Sequence, residues 1–330
     1  MKHRSSTPTA ALACALAAGL FAVSADAQSR AGSPKKWTTP RTPDGQPDIQ
    51  GIWTNATITP FERPRELAGK EYFTQQEAAE YEKTVVAAND RDRRSTDPIA
   101  DVGGAYNEFW FDRGTKVVPT RRTSIVVDPA DGRVPPLTPA AQKAATARAA
   151  IARRPPEGPE DLAPVVRCIA WPTSGPPMLP TAYNNNYQIL QGPGYVAILV
   201  EMIHDMRIIS LDGRPHIPAN IRQWLGDSRG RWEGNTLVVD TTNFTDKTNL
   251  RGSDKDLHLI ERFTRTGENT IMYEFTVDDP TAFTHVWKGE IPLTRASGPL
   301  YEYACHEGNY SMEGILKGAR AQEKAAAQPH

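Results

Sequence analysis

A chain of 330 residues with 38 basic and 39 acidic side chains carries a net charge of −1. That balance excludes the basic surplus of a nucleic-acid binder and the acidic block of a solvating tail. The length bounds the chain to one large or two small domains with a substantial core. The 28 prolines and 24 glycines favour ordered loops over long helices.

The first 27 residues read as a signal peptide. Lys2, His3 and Arg4 make a basic start, residues 10–23 an apolar run, and Ala25-Asp26-Ala27 a small-x-small cleavage site. The apolar run is shorter than the ~20 residues of a membrane span. No later segment is apolar for long enough to span a bilayer. The expected location is therefore periplasmic or secreted, with no membrane attachment after cleavage. Cys14 is lost with the signal, leaving Cys168 and Cys305. In an oxidising compartment that even pair is expected to form one disulfide; two buried thiols are the alternative.

Residues 28–47 read as a linker, and residues 48–53 as a first strand. Thr74 and Glu77 form a capping box with Phe73 as its hydrophobic staple, predicting a helix over residues 75–89. Residues 107–112, NEFWFD, read as a short strand or an aromatic anchor in the core. A strand is expected over 121–127. A helix capped by Thr138, with Pro139 in its first turn, is expected to run to about residue 153. Proline-rich residues 155–180 suggest an insert or wrapping arm rather than a separate domain.

The rest of the chain reads as an antiparallel meander. Strands are expected at residues 187–191, 195–203, 206–211, 231–233, 236–242, 257–266, 270–277, 284–293 and 300–304, each bounded by turn signals. Ile271, Tyr273, Phe275 and Val277 alternate with Met272, Glu274 and Thr276, so one face is packed and the other wet. The fold class is mainly β: an antiparallel barrel or sandwich wrapped by an N-terminal helical and irregular region. A short amphipathic helix is expected at 312–327.

The blocks GQPDIQGIWTN, YNNNYQILQGPGYVAILVEMIHDMRIISLDGRPH, IRQWLGDSRGRWEGNTLVVDTTNF and YEYACHEGNY resemble a family of exported bacterial proteins of unassigned function. The resemblance implies one exported unit and carries over no activity. More loosely, the β half is similar to lipocalin barrels, through its strand count and Gly51-x-Trp53.

Two clusters carry usable chemistry. Glu201, His204 and Asp205 lie within five residues at an expected turn, where a carboxylate could orient and charge an imidazole for acid–base work. The competing reading is a turn histidine with an Asp205–Arg207 salt bridge. His306 and Glu307 follow Cys305, where a disulfide would fix them at a strand end. The catalytic expectation is that His204 and His306 act as acid or base, partnered by Glu201, Asp205 and Glu307. Tyr183, Asn185, Arg222 and Trp224 would position a hydroxylated or aromatic substrate, Asn184 and Asn186 adding amides beside them. His285, beside Trp287, is a lesser candidate for a barrel interior, and His216 and His258 carry less weight.

No GxSxG, Walker loop, GxGxxG or CxxCH is present. No cofactor is expected. A divalent metal is the one open alternative, since His and carboxylate are suitable ligands, although HxH, HExxH and CxxC spacings are absent. The leading expectation is a cofactor-independent lyase, hydratase or hydrolase. A non-catalytic lipocalin-like binder is the alternative, and an envelope interaction protein the third.

Overall fold

The computed structural model describes residues 37–104 and 107–327; the expected signal peptide lies outside them. Ten strands form a single sheet: β1 (Gly51–Thr54), β2 (Val126–Asp128), β3 (Asn186–Gly192), β4 (Tyr195–Val200), β5 (Met206–Ser210), β6 (Asp227–Glu233), β7 (Thr236–Thr242), β8 (His258–Gly267), β9 (Thr270–Asp278) and β10 (Trp287–Arg295). Strands β3 to β10 are neighbours in chain order, β1 pairs with β3, and β1 pairs again with β10. That last pairing closes a mixed barrel of nine strands, and β2 adds to the free edge at the start of β10. Closure removes the sheet edges that would otherwise invite pairing with other chains.

The pairs are antiparallel except β5 with β6, which run parallel and meet at Ser210 and Arg229 alone. Loop 211–226 causes this exception. It carries the chain back along the barrel, so that β6 starts at the end where β5 started.

The barrel core is made by alternation. Tyr187, Ile189, Val196, Ile198, Val200, Leu237, Val239, Leu259, Phe263, Ile271, Tyr273, Phe275 and Val277 are all buried in one cluster. Each large apolar side chain so placed stabilises by roughly 1.5–3 kcal/mol. Trp53 lies at the closing seam. It is fully buried, its Nε1 donates to the Ile49 carbonyl at 3.0 Å, and the Arg295 guanidinium sits 4.6 Å from its ring centroid. Gly51 has φ +130°, and a Cβ there would come within 2.8 Å of Arg295 Nη1. A side chain at position 51 would be strained at that φ and would displace the Arg295 guanidinium, which accounts for a glycine two residues before Trp53 at the seam.

Four helices lie outside the sheet: α1 (Gln75–Asn89), α2 (Pro98–Gly104), α3 (Pro139–Ala152) and α4 (Ser311–Ala326). Helix α1 has the bounds its capping box implies. Thr74 Oγ1 accepts from the Glu77 amide, and the Glu77 carboxylate accepts from the Thr74 amide. Phe73 and Ala78 meet as the staple within a second small core that also holds Ile58 and Val117. Thr138 caps α3 as expected.

Several expectations are corrected. Residues 121–125 are irregular, with Arg121 at φ +58° and bends at Thr123 and Ile125; their amides bond to separate segments, Thr123 to Glu71 and Ile125 to Pro60, so only Val126–Asp128 forms ladder. NEFWFD is a 3-10 turn at Glu108–Trp110 with Phe109 and Trp110 exposed, not a core anchor. Residues 300–304 form no strand; Pro299 precedes them and they join no ladder. His285 is exposed, because β10 starts only at Trp287. The end of the expected linker is ordered, with Arg41 bridged to Pro47 and its Nη2 donating to Asn235 Oδ1 at 2.6 Å.

Candidate functional site

The barrel interior is filled by the chain itself. Residues 172–180 enter at the end where β1, β7 and β9 finish and β3, β6 and β8 begin. Gly175 permits the turn with φ +56°; a Cβ there would lie 2.8 Å from the Pro177 carbonyl carbon. Met178 is buried inside, its amide donating to the Tyr273 hydroxyl at 3.0 Å, and its carbonyl accepting from Asn55 Nδ2 at 3.1 Å. The proline-rich arm is thus a plug.

Beneath the plug lies a polar network that sequence reading missed. Arg207 from β5 bonds Glu261 from β8 through both terminal nitrogens, one at 3.0 Å. Its Nε donates to Ser228 Oγ at 2.9 Å and its Nη2 to Thr241 Oγ1 at 3.2 Å. The Tyr273 hydroxyl donates to Glu261 Oε1 at 2.8 Å. Burial, then the Glu261 charge, raises the Tyr273 pKa well above its usual value, so this phenol stays a donor. Arg207 therefore turns inward and forms no bridge with Asp205. Inward alternation on β5 was the available signal, since Arg207 and Ile209 share a face.

Above the plug is a cleft of about 540 Å³. Trp171, Leu179 and their proline neighbours, Trp224, Leu225, Leu250 and Phe61 line it. Lys247 and Arg251 supply charge at the cleft. The loop that carries them is held by Thr248 Oγ1, which donates to the Trp224 carbonyl at 2.9 Å, and by paired amide bonds between Leu250 and Ser253. A disulfide joins Cys168 to Cys305, and Asn309 Nδ2 donates to the Val166 carbonyl at 3.1 Å, so the plug side is tied to the C-terminal segment.

The sequence-predicted residues fall in different settings. Trp224 lines the cleft. Arg222 braces the neighbouring loop, donating to the carbonyls of Phe244 (3.1 Å) and Lys255 (2.6 Å). Tyr183 stacks on Trp171 at 6.1 Å. Asn185 is fully buried. Its Oδ1 accepts from the Thr181 amide, and its Nδ2 donates to Asp112 Oδ1 at 2.8 Å. Burial pushes the Asp112 carboxyl up, against the Asn185 hydrogen bonds that lower it. Glu201 is buried, accepting from Asn186 Nδ2 at 2.7 Å and from the Tyr301 amide at 3.4 Å. The Glu201 turn and the segment before Cys305 therefore do meet. His204, His306 and Glu307 are exposed, and Asp205 caps its own strand through the Met206 amide. No hydrogen bond or ion pair among the described residues joins His204 or Asp205 to His306 or Glu307.

A second cluster, on the outer wall, forms where sequence reading gave little weight. His216 Nδ1 lies 2.8 Å from Asp227 Oδ2, and its Nε2 lies 3.2 Å from Asp240 Oδ1. His258 Nε2 reaches the same Asp240 oxygen at 3.1 Å. The hydrogen bond that His258 donates to Asp240 raises the His258 pKa, partly opposed by burial, and lowers that of Asp240. Burial would raise Asp227, yet hydrogen bonds from His216 and Arg229 hold it below its usual range. The sign follows from linkage. The raised His258 stabilises the fold below its unfolded pKa of about 6.5, and this is lost as pH rises through the higher folded value. The lowered Asp240 stabilises above about 3.9 and is lost as pH falls through its depressed value. The pair therefore contributes most between about pH 4 and 6.5. In an NMR titration, Asp240→Asn is expected to bring the His258 midpoint down toward about 6.5; an unmoved midpoint would rule out Asp240 as the cause. Among the described residues, no group of three or more His, Cys, Asp or Glu is placed to hold a metal ion, and no helix is long and apolar enough to cross a membrane.

No protein-family description matches the chain, and no curated protein or solved structure is similar enough to count as a match, so the geometry alone carries the functional reading.

Proposed function

We propose that this is an exported small-molecule-binding protein, periplasmic or secreted, that holds its ligand in the cleft above the barrel plug. The observation that carries this is the cleft itself: about 540 Å³, walled by Trp171, Trp224, Phe61, Leu179 and Leu250. That size and apolar lining fall within the range of small-ligand sites. The binding position differs from a lipocalin-like calyx, because Met178 and the Arg207–Glu261 pair occupy the barrel interior.

Titration with N-phenyl-1-naphthylamine, followed by probe emission and tryptophan quenching, tests the reading. Trp224→Ala is expected to weaken binding about tenfold or more, as for other truncated aromatic anchors. Unchanged affinity would remove the cleft as the site.

An acid–base enzyme remains the second reading, favoured by one observation. Asp112, its carboxyl raised by burial, lines a polar cleft of about 360 Å³ with Asn186, Arg295 and Tyr301. Mass spectrometry of a ligand captured during purification separates the two. A mass unchanged after incubation favours binding, and a converted product favours catalysis.

A further inference from the structure

We infer that the cleft selects apolar molecules bearing an anionic group, which the Lys247–Arg251 loop receives; this rests on the cleft being the binding site. The first observation is the charge of the lining. Among the described residues, Lys247 and Arg251 are the only ionisable side chains that line it, and no carboxylate does. The whole chain has one more acid than base, so a lining whose charged side chains are both cationic is a local departure.

The second observation is how the two cations are held. Among the described residues the Lys247 ammonium has no ion-pair or hydrogen-bond partner, and it stands exposed at the rim. Arg251 sits over the Phe61 ring, its guanidinium carbon 4.0 Å from the ring centroid. Glu62 Oε2 is 3.4 Å from Arg251 Nη1 and offsets part of its charge. Lys247 is thus the unmatched charge, while Arg251 presents a planar, partly dehydrated fork suited to a carboxylate or sulfonate. Burial lowers the Arg251 pKa without removing its charge at neutral pH.

The third observation is backbone strain. Arg251 adopts φ +54° next to Gly252, in the left-handed region that non-glycine residues rarely occupy. Such a conformation is kept where surrounding structure holds it, often at ligand clamps. Here Asn249 Oδ1 accepts from the Gly252 amide at 2.8 Å, and the Leu250–Ser253 bonds fix the turn. The loop therefore presents position 251 in one orientation, over Phe61 and toward the cleft.

A ligand of matching chemistry has an aromatic or alicyclic body against the tryptophans of the lining and one carboxylate, sulfonate or phosphate at the rim. Removing the acid group should leave apolar contact but lose selection, because an apolar wall contributes area and a fixed charge contributes discrimination.

Two probes with the same body separate these contributions in the full chain: 8-anilino-1-naphthalenesulfonate and uncharged N-phenyl-1-naphthylamine. The sulfonate is expected to bind about tenfold or more tighter. The ratio should shrink with rising ionic strength, as it must for a solvent-facing charge, and should fall toward one in Lys247→Met. Equal affinities in the wild type, or a ratio preserved in both Lys247→Met and Lys247→Met/Arg251→Met, would overturn the inference while leaving the cleft intact. Should uncharged probe binding ignore Trp224→Ala, the cleft reading itself fails and this inference falls with it. Thermal melting of each variant shows whether it has folded.

Discussion

Arg207→Ala is expected to destabilise the protein by about 3–5 kcal/mol, the usual cost of removing one member of a buried ion pair. The remaining carboxylate, Glu261, is completely buried and would keep only the Tyr273 hydroxyl as a donor. Ser228 and Thr241 would lose their guanidinium contacts but still hold each other at 3.0 Å. Replacing both ions, as in Arg207→Met/Glu261→Leu, should recover part of the loss, because no charge is then left unpaired. Recovery should be incomplete, since the Tyr273 hydroxyl would lose its acceptor while still holding the Met178 amide. Urea unfolding midpoints of the two single variants and the double variant decide this. Single substitutions costing less than about 1 kcal/mol would mean that the pair is not buried as described. The network also connects stability to the cleft, because Tyr273 anchors the plug that forms the cleft floor.

Breaking the Cys168–Cys305 bridge should have the next largest effect. The bridge spans 137 residues of sequence, and the chain-entropy relation for a loop of that size gives about 4–5 kcal/mol. A measured loss of about 2–5 kcal/mol is the realistic expectation, since reduced chains keep some structure. Cys168→Ser/Cys305→Ser, or dithiothreitol treatment of the wild type, should lower the melting temperature alike. Probe affinity should fall as well, because Pro164, Val165 and Ala170 at the cleft wall flank the bridged cysteine. Equal melting temperatures with and without reductant would show that the bridge contributes no net stability. Lower stability with unchanged probe affinity would show that the plug keeps its position through the bonds of Met178 to Tyr273 and Asn55.

The parts of the fold legible in the sequence were those written in local chemistry. Thr74, Glu77 and Phe73 specified where α1 begins because an N-cap, its reciprocal carboxylate and a staple act within five residues. Strand β9 was legible because alternation with period two separates a packed face from a wet one, and β7 and β8 because turn signals bound them. Cys168 and Cys305 were legible as a candidate pair because no other cysteine lies among the described residues, and the structure joins them. Local signals misled where the partner was distant. Residues 121–125 have strand composition, but their hydrogen-bonding groups go to Pro60, Glu71 and Glu290 instead of a continuous ladder. At the candidate site, Trp224 was legible as an aromatic in a loop. Trp171 was hidden inside a proline-rich stretch, and nothing near Arg207 in sequence indicates Glu261.

The sequence by itself determined the capped helices and the β character of the second half, because each depends on residues that act on near neighbours. Only the tertiary structure decided that the barrel closes through Trp53 and Arg295, that Arg207 turns inward, and that the proline-rich arm fills the interior and leaves a cleft above it. Those outcomes depend on which side chains from separate strands exclude water together. Barrel closure and burial of charge are settled by the summed packing of the whole chain, which no short stretch of residues encodes.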